Sequence, residues 1–169
     1  MRNIILIGFM GTGKSAVSEK LAEKLGARLI DTDQEIEKES GMTISDIFKN
    51  YGEEYFRVLE TGLLEKLSGT NDLVISCGGG IALREANRKL LDRLGFVVLL
   101  TAKVDTIMER LRGDETRPLI KGGNKDTIRV LMDERRKYYN AAAMCCVETD
   151  GLTVDEVSEL ILRREEGLC

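Results

Sequence analysis

Residues 8–15 read GFMGTGKS. Gly8, Gly13, Lys14 and Ser15 occupy the fixed positions of G-x-x-x-x-G-K-[ST]. The stretch follows an apolar run and precedes a helical pattern, which is where such a loop has to lie. Glycines let successive backbone N–H groups turn inward around phosphate oxygens. The helix N-terminus adds partial positive charge. A lysine at this place reaches the β- and γ-phosphates, and a serine hydroxyl can ligate Mg²⁺. A dinucleotide-binding loop would need G-x-G-x-x-G; the glycines here stand at 8, 11 and 13, and that loop has no use for Lys14. The chemistry indicated is the binding of nucleotide phosphates.

Many P-loop proteins hold the metal with a second acid at a strand end. Here the third apolar run ends VISCGGG, without Asp or Glu. Asp31, which closes the run RLID, and Asp33, two residues on, are the nearest acids at a strand end. In an extended stretch residues i and i+2 point the same way. The pair can therefore face one cleft beyond the strand ends, where open α/β sheets bind ligands. Asp33 can equally cap a helix that starts at Gln34. Gly78, Gly79 and Gly80 permit close backbone approach to a ligand and offer N–H donors, or form a tight turn. Arg57, three residues before Glu60, reads by itself as half of a surface ion pair. The stretch DERRKYY, with Arg135, invites the same reading. Arg117 lies in GDETRPLIKGGN (113–124), a loop with three glycines and the chain's only proline. It is either solvated or an arginine finger.

These side chains need a frame. Short apolar runs at 3–8, 28–31, 72–76, 96–100 and 144–149 read as five strands. Helical patterns lie between them, at 14–26, in pieces over 34–68 with breaks at Gly41 and Gly52, and at 84–95, 103–112, 125–142 and 153–166. Strand–helix alternation implies a parallel sheet with crossover helices, and uniformly apolar strands imply that both faces are covered. The expectation is one α/β domain over residues 1–169, a five-stranded parallel sheet with helices on both faces.

Hydrophobic residues at 43% and charged residues at 32% suit a folded, core-bearing chain. A net charge of −4 supplies no basic field for nucleic acid. No apolar run has the length of a membrane span, and the N-terminal run enters glycines and a lysine without a cleavage site. Cys77, Cys145 and Cys146 read as small buried residues in a reduced, cytoplasmic protein. Histidine is absent, so acid–base work falls to carboxylate, lysine, tyrosine or water.

In order along the chain, GFMGTGKS, DTD, YGEEYFR, CGGG, TRPLI and ERRKYY resemble the shikimate kinases of the P-loop type, relatives of the nucleoside monophosphate kinases. The resemblance covers nearly the whole chain. It implies a P-loop kinase fold with substrate-binding helices at about 33–61 and a mobile lid at about 112–124. It further implies transfer of the ATP γ-phosphoryl group to the 3-hydroxyl of shikimate, with Mg²⁺; a monomer is the default expectation. Gly11, Thr12, Gly13, Lys14, Ser15 and Ala16 would hold the ATP phosphates, with Mg²⁺ on Ser15 and Asp31. Asp33 would bind the reacting hydroxyl and act as its base. Arg57, Arg135 and the glycines Gly78, Gly79 and Gly80 would bind the substrate. Lys14 and Arg117 would serve the transfer, and Arg110 would lie near the adenine. Two departures stand out. ERRKYY carries Lys137 and Tyr138 where the family has proline and leucine, and no arginine follows the last strand at ETDGLT. A gluconate kinase is the nearest rival, and the set DTD, YFR and GGG argues against it. A relative that binds nucleotide without catalysis is disfavoured because Lys14, Asp33, Arg57 and Arg135 are all present.

Overall fold

Odd and even residues of the first strand separate into two different cores. Ile5 and Ile7 join one buried cluster, and Ile4 and Leu6 join another. That is the signature of a strand buried on both faces, since successive side chains point to opposite sides. The computed structural model describes residues 1–112 and 124–167. Most of the expected lid, Arg117 included, lies outside the described residues.

The strands are β1 (Asn3–Ile7), β2 (Arg28–Asp31), β3 (Leu73–Ser76), β4 (Gly95–Thr101) and β5 (Cys145–Glu148). They form one sheet in the order β2-β3-β1-β4-β5, with every pairing parallel. Helices α1 (Lys14–Leu25) and α8 (Val154–Glu165) cover one face through Val17, Leu21, Val157 and Ile161. The other face carries α4 (Glu53–Leu67), α5 (Glu85–Leu94), α6 (Val104–Leu111) and α7 (Lys125–Ala142). The crossover from β1 thus leaves on one side and those from its neighbours on the other. A crevice opens where they diverge, at the carboxyl ends of the strands.

Between β2 and β3 the chain makes α2 (Thr32–Ser40), α3 (Ile44–Tyr51) and α4. The expected breaks fall in place: Gly41 and Gly52 both have positive φ, at 69° and 86°. These helices form a satellite core of Ile36, Ile47, Phe56 and Leu63. Two expectations need correction. The second helix starts at Thr32 rather than Gln34, because Asp31 is the cap: its carboxylate accepts from the Asp33 and Gln34 N–H groups. Of the described cysteines only Cys77 is buried. Cys145 is half-buried and Cys146 exposed, since edge strand β5 turns part of its surface to solvent.

Asn3 ties the lower end of the sheet together. Its buried amide donates to the carbonyls of Thr70 and Leu94 at 2.8 and 2.9 Å and accepts from the Leu73 N–H at 3.0 Å. Asn3→Ala would leave buried backbone groups at the starts of both neighbouring strands without partners. Such orphaned groups cost roughly 1–3 kcal/mol each. The expected loss is about 2–4 kcal/mol in urea-unfolding stability, with an unchanged β-sheet signal in circular dichroism below the transition.

Candidate functional site

The loop after β1 is built as a cradle. Gly11 and Gly13 have φ of 77° and 93°, a region other residues enter only under strain. Gly13 is the N-cap of α1 and provides no side-chain cap, and the first turn carries no acid. By contrast α2, α3, α7 and α8 are capped by Asp31, Thr43, Asn124 and Thr153. The N–H groups at the start of α1 are thus left without a side-chain oxygen, as an anion site requires. Buried Thr12 braces the loop by donating to the Phe9 carbonyl at 2.8 Å. Lys14 arches back over it, its ammonium 2.8 and 2.9 Å from the carbonyls of Gly8 and Phe9. Arg110, exposed on α6, donates to the Gly11 carbonyl at 3.1 Å and to Thr149 Oγ1, beyond β5, at 3.2 Å.

Asp31 and Asp33 do not act as an extended i, i+2 pair, because the strand ends between them and the helix begins. Asp31 lines a cavity of about 180 Å³ together with Ser15, Gln34 and Glu35. Asp33 instead lies against Gly78. A Cβ built on that glycine would be 2.5 Å from the Asp33 Oδ1. The neighbouring Thr32 hydroxyl accepts from the Gly78 N–H at 2.9 Å, which locks the end of β2 to the end of β3.

The three glycines meet three different side chains. Gly78 faces Asp33. A Cβ on Gly79 would stand 3.2 Å from Arg135 Nη1, and one on Gly80 only 2.2–2.4 Å from the Arg57 guanidinium. Gly79 also adjoins the loop after β1, 3.8 Å from the Gly8 carbonyl oxygen and the Met10 nitrogen on the same measure. The tripled glycine is therefore a close-approach strip: a Cβ at Gly78 or Gly80 would collide with a charged group, and one at Gly79 would press against Arg135. Tyr139, one helical turn after Arg135, donates to the Gly79 carbonyl at 2.5 Å. In a trans peptide the N–H opposes the C=O, so this bond turns the Gly80 N–H away from α7.

The arginines are not surface residues. Arg57 is 5% exposed and Arg135 4%. Arg57 donates to Glu60 Oε2 at 2.8 Å and to Glu53 Oε1 at 2.9 Å, and packs 5.3 Å from the Phe56 ring centre. Glu60 is fully buried. The expected surface ion pair is thus a buried one, because the face of α4 that carries it turns toward the sheet. Burial pushes the Glu60 carboxyl up to about 7, against the downward pull of Arg57; Asp33 pushes the same way as burial, and Arg135 opposes it. Arg135 lies 5.8 Å from the Phe9 ring centre, whereas Arg136 is exposed and pairs with Asp133 at 2.8 Å. Of the two adjacent arginines, only Arg135 enters the site. The departures Lys137 and Tyr138 lie on the outer side of α7. There Tyr138 packs under Lys137 and under Arg88 of α5.

Sequence reasoning passed over Glu60, Thr32 and Tyr139. The i, i+3 spacing of Arg57 and Glu60 was a signal for the pair but not for its burial. Thr32 and Tyr139 carried no signal of their own. Cys77, fully buried behind the strip, has its thiol pushed up by burial and is no nucleophile.

Residues 10–165 match the family model of shikimate kinase. The chain is 45% identical over 164 residues to a shikimate kinase of Persephonella marina, covering 97% of this chain and 99% of that one. It is also similar to the structure of the shikimate kinase from Acinetobacter baumannii in complex with shikimate, with a TM-score of 0.94, 36% identity, and coverage of 99% of this chain and 94% of that one. A gluconokinase from Sinorhizobium meliloti gives a TM-score of 0.60 at 21% identity, covering 99% of this chain and 95% of that one; this is a likeness of fold alone.

Two glycine substitutions separate close approach from ordinary helix propensity. Gly80→Ala forces the Arg57 guanidinium off its buried partner and should lower stability by about 2–4 kcal/mol. Gly62→Ala, inside α4 with nothing within 4 Å, should raise stability by about 0.5–1 kcal/mol. Equilibrium unfolding of both variants against the parent measures the contrast.

Proposed function

The chain belongs to the shikimate kinase family, whose members are ATP-dependent kinases, and we propose that it transfers the ATP γ-phosphoryl group to the 3-hydroxyl of shikimate. The observation that carries this reading is the strip Gly78–Gly80. It sets Asp33, Arg135 and Arg57 in a row beside the phosphate-binding loop.

In this reading Gly11, Thr12, Gly13, Lys14, Ser15 and Ala16 receive the ATP phosphates, and Lys14 turns from its loop carbonyls toward the β- and γ-oxygens. Arg110, already bonded to the loop and to Thr149, borders the adenine side and supplies a cation where the stretch ETDGLT at the end of β5 has no arginine. Arg57 and Arg135 grip the shikimate carboxylate, each guanidinium offering a planar fork of donors. The Gly79 and Gly80 N–H groups close on the substrate from the strip. Asp33 accepts a hydrogen bond from the 3-hydroxyl and takes its proton as the oxygen attacks the γ-phosphorus. The bond from γ-phosphorus to the β–γ bridging oxygen breaks, and ADP leaves with that oxygen. Little covalent work is asked of the protein in such transfers; position and charge carry most of the rate. This is compatible with a site that has no histidine.

Ser15 and Asp31 are the residues that would hold Mg²⁺. Both are oxygen donors on one cavity. Among the described residues no group of three or more His, Cys, Asp or Glu is arranged to hold a metal. Two protein donors completed by water and phosphate suit Mg²⁺ better than an all-protein cage would. Bound there, the ion would neutralise charge on the phosphate oxygens. Residues 112–124 would form the lid and Arg117 its finger on the phosphates; 113–123 lie outside the described residues. Among the described residues no helix is long and apolar enough to cross a membrane. We read the enzyme as a cytoplasmic monomer.

A coupled assay of ADP release should respond to shikimate far more than to gluconate or a nucleoside monophosphate; the reverse order would sink the assignment. Asp33→Asn should lower kcat by about 10²–10⁴-fold while ATP binding, read by fluorescence titration, is retained. Arg135→Ala should raise the KM for shikimate about 100-fold, and Arg136→Ala should change it by less than about threefold.

A further inference from the structure

We infer that Glu60 takes up a proton as the substrate carboxylate settles between Arg57 and Arg135, so that the pocket exchanges one buried negative charge for another. The inference rests on the carboxylate-binding role proposed for the two arginines. It makes Glu60 a positioning residue, acting through Arg57.

The geometry comes first. Glu60 is fully buried. Its Oε2 accepts from Arg57, while its Oε1 has no hydrogen-bond partner among the described residues. A carboxylate satisfied on one side only is poorly solvated, which favours its neutral form. The charged and titratable groups around it come from several elements: Arg57 from its own helix, Asp33 from α2, Arg135 and Tyr139 from α7, and Cys77 from the end of β3. Helices α3 and α5, which also pack on α4, bring the neutral buried side chains Ile47 and Asn87, the latter against Thr61. Glu53, the other partner of Arg57, is half in solvent.

The charges follow from this inventory. Arg57 and Arg135 oppose Glu60 and Asp33, Lys14 and Asp31 add one charge of each sign beyond Cys77, and Glu53 lies half in solvent, so the buried core of the pocket is balanced without substrate. An incoming carboxylate leaves it with one excess negative charge in a site shielded from water, an expensive arrangement. Asp33 has to remain ionised to act as base. Glu60 is the group poised to be neutralised, its carboxyl already pushed up to about 7 by burial. The substrate draws on the same guanidinium groups that hold Glu60 ionised, so its proton affinity rises further on binding. By linkage, shikimate binds at full strength below about pH 7 and more weakly as pH rises through the Glu60 value of the complex. A tenfold rise in proton affinity on binding corresponds to uptake of about 0.4 proton per shikimate at pH 7.

Isothermal titration of the full-length protein with shikimate, without nucleotide, in two buffers of different ionisation enthalpy counts the protons. Uptake near that value is expected for the parent, strongest between about pH 7 and 8 and vanishing at high pH. Near-zero uptake with binding retained is expected for Glu60→Gln. Binding by the parent without proton exchange overturns the inference. Undiminished uptake in Glu60→Gln also overturns it and assigns the proton to another group such as Asp33. If Glu60→Gln does not fold, the parent decides by its pH profile: a maximum near pH 4–5, where ordinary carboxylates titrate, counts against Glu60. Absence of any shikimate binding would instead remove the proposed function itself.

Discussion

Two guanidinium groups, those of Arg57 and Arg135, lie almost wholly out of water and must stay charged there. Removing such ions from solvent costs several kcal/mol each unless partners replace the water. Much of the surrounding structure answers to that demand. Glu60 and Glu53 hold the fork of Arg57, and the aromatic faces of Phe56 and Phe9 lie against the two arginines. The satellite core formed by α2, α3 and α4 keeps Phe56 and the Arg57–Glu60 turn facing inward. In the strip of three glycines, a side chain at Gly78 or Gly80 would overlap the Asp33 carboxylate or the Arg57 guanidinium, and one at Gly79 would crowd Arg135 beside the loop after β1.

The sheet order fixes where this charged cluster can be. β3 lies beside β1, so the segment after β3 runs alongside the loop after β1. β2 lies on the far side of β3, which sets Asp33 next to the same segment. The Thr32–Gly78 and Tyr139–Gly79 hydrogen bonds then tie the strip to α2 and α7. Side chains distant in sequence thus converge at one end of the sheet, where crossovers leaving on opposite faces open a crevice. The same arrangement explains why Arg135 and not Arg136 belongs to the site. Arg135 shares the inward face of α7 with Ile128 and Tyr139, while its neighbour turns about 100° away along the helix.

The elements were legible in the amino-acid sequence wherever the pattern was local. Uniformly apolar runs marked the strands, Gly41 and Gly52 marked the helix breaks, and GFMGTGKS marked the glycine loop between β1 and α1. The reading failed where a partner came from elsewhere in the chain. Asp33 was a plausible cap by its position before Gln34, but Asp31 won that place, since the chain turns helical at Thr32 and the Asp31 carboxylate reaches both N–H groups. Arg57 and Glu60 had the spacing of a surface pair; their burial depends on which face of α4 meets the sheet. Cys145 and Cys146 looked like core residues, yet β5 is an edge strand and leaves both partly in solvent.

By itself the sequence determined the strand and helix alternation, the P-loop and the inventory of charged groups, because these depend on residue types at short, fixed spacings. Only the tertiary structure decided what each charge faces. It separated Asp31, beside Ser15, from Asp33, beside Gly78, although one residue lies between them. It also turned an ordinary Arg–Glu spacing into a buried pair with an altered proton affinity. The physical reason is that burial and electrostatic environment are set by contacts between segments far apart in the chain, and no local pattern of residues encodes them.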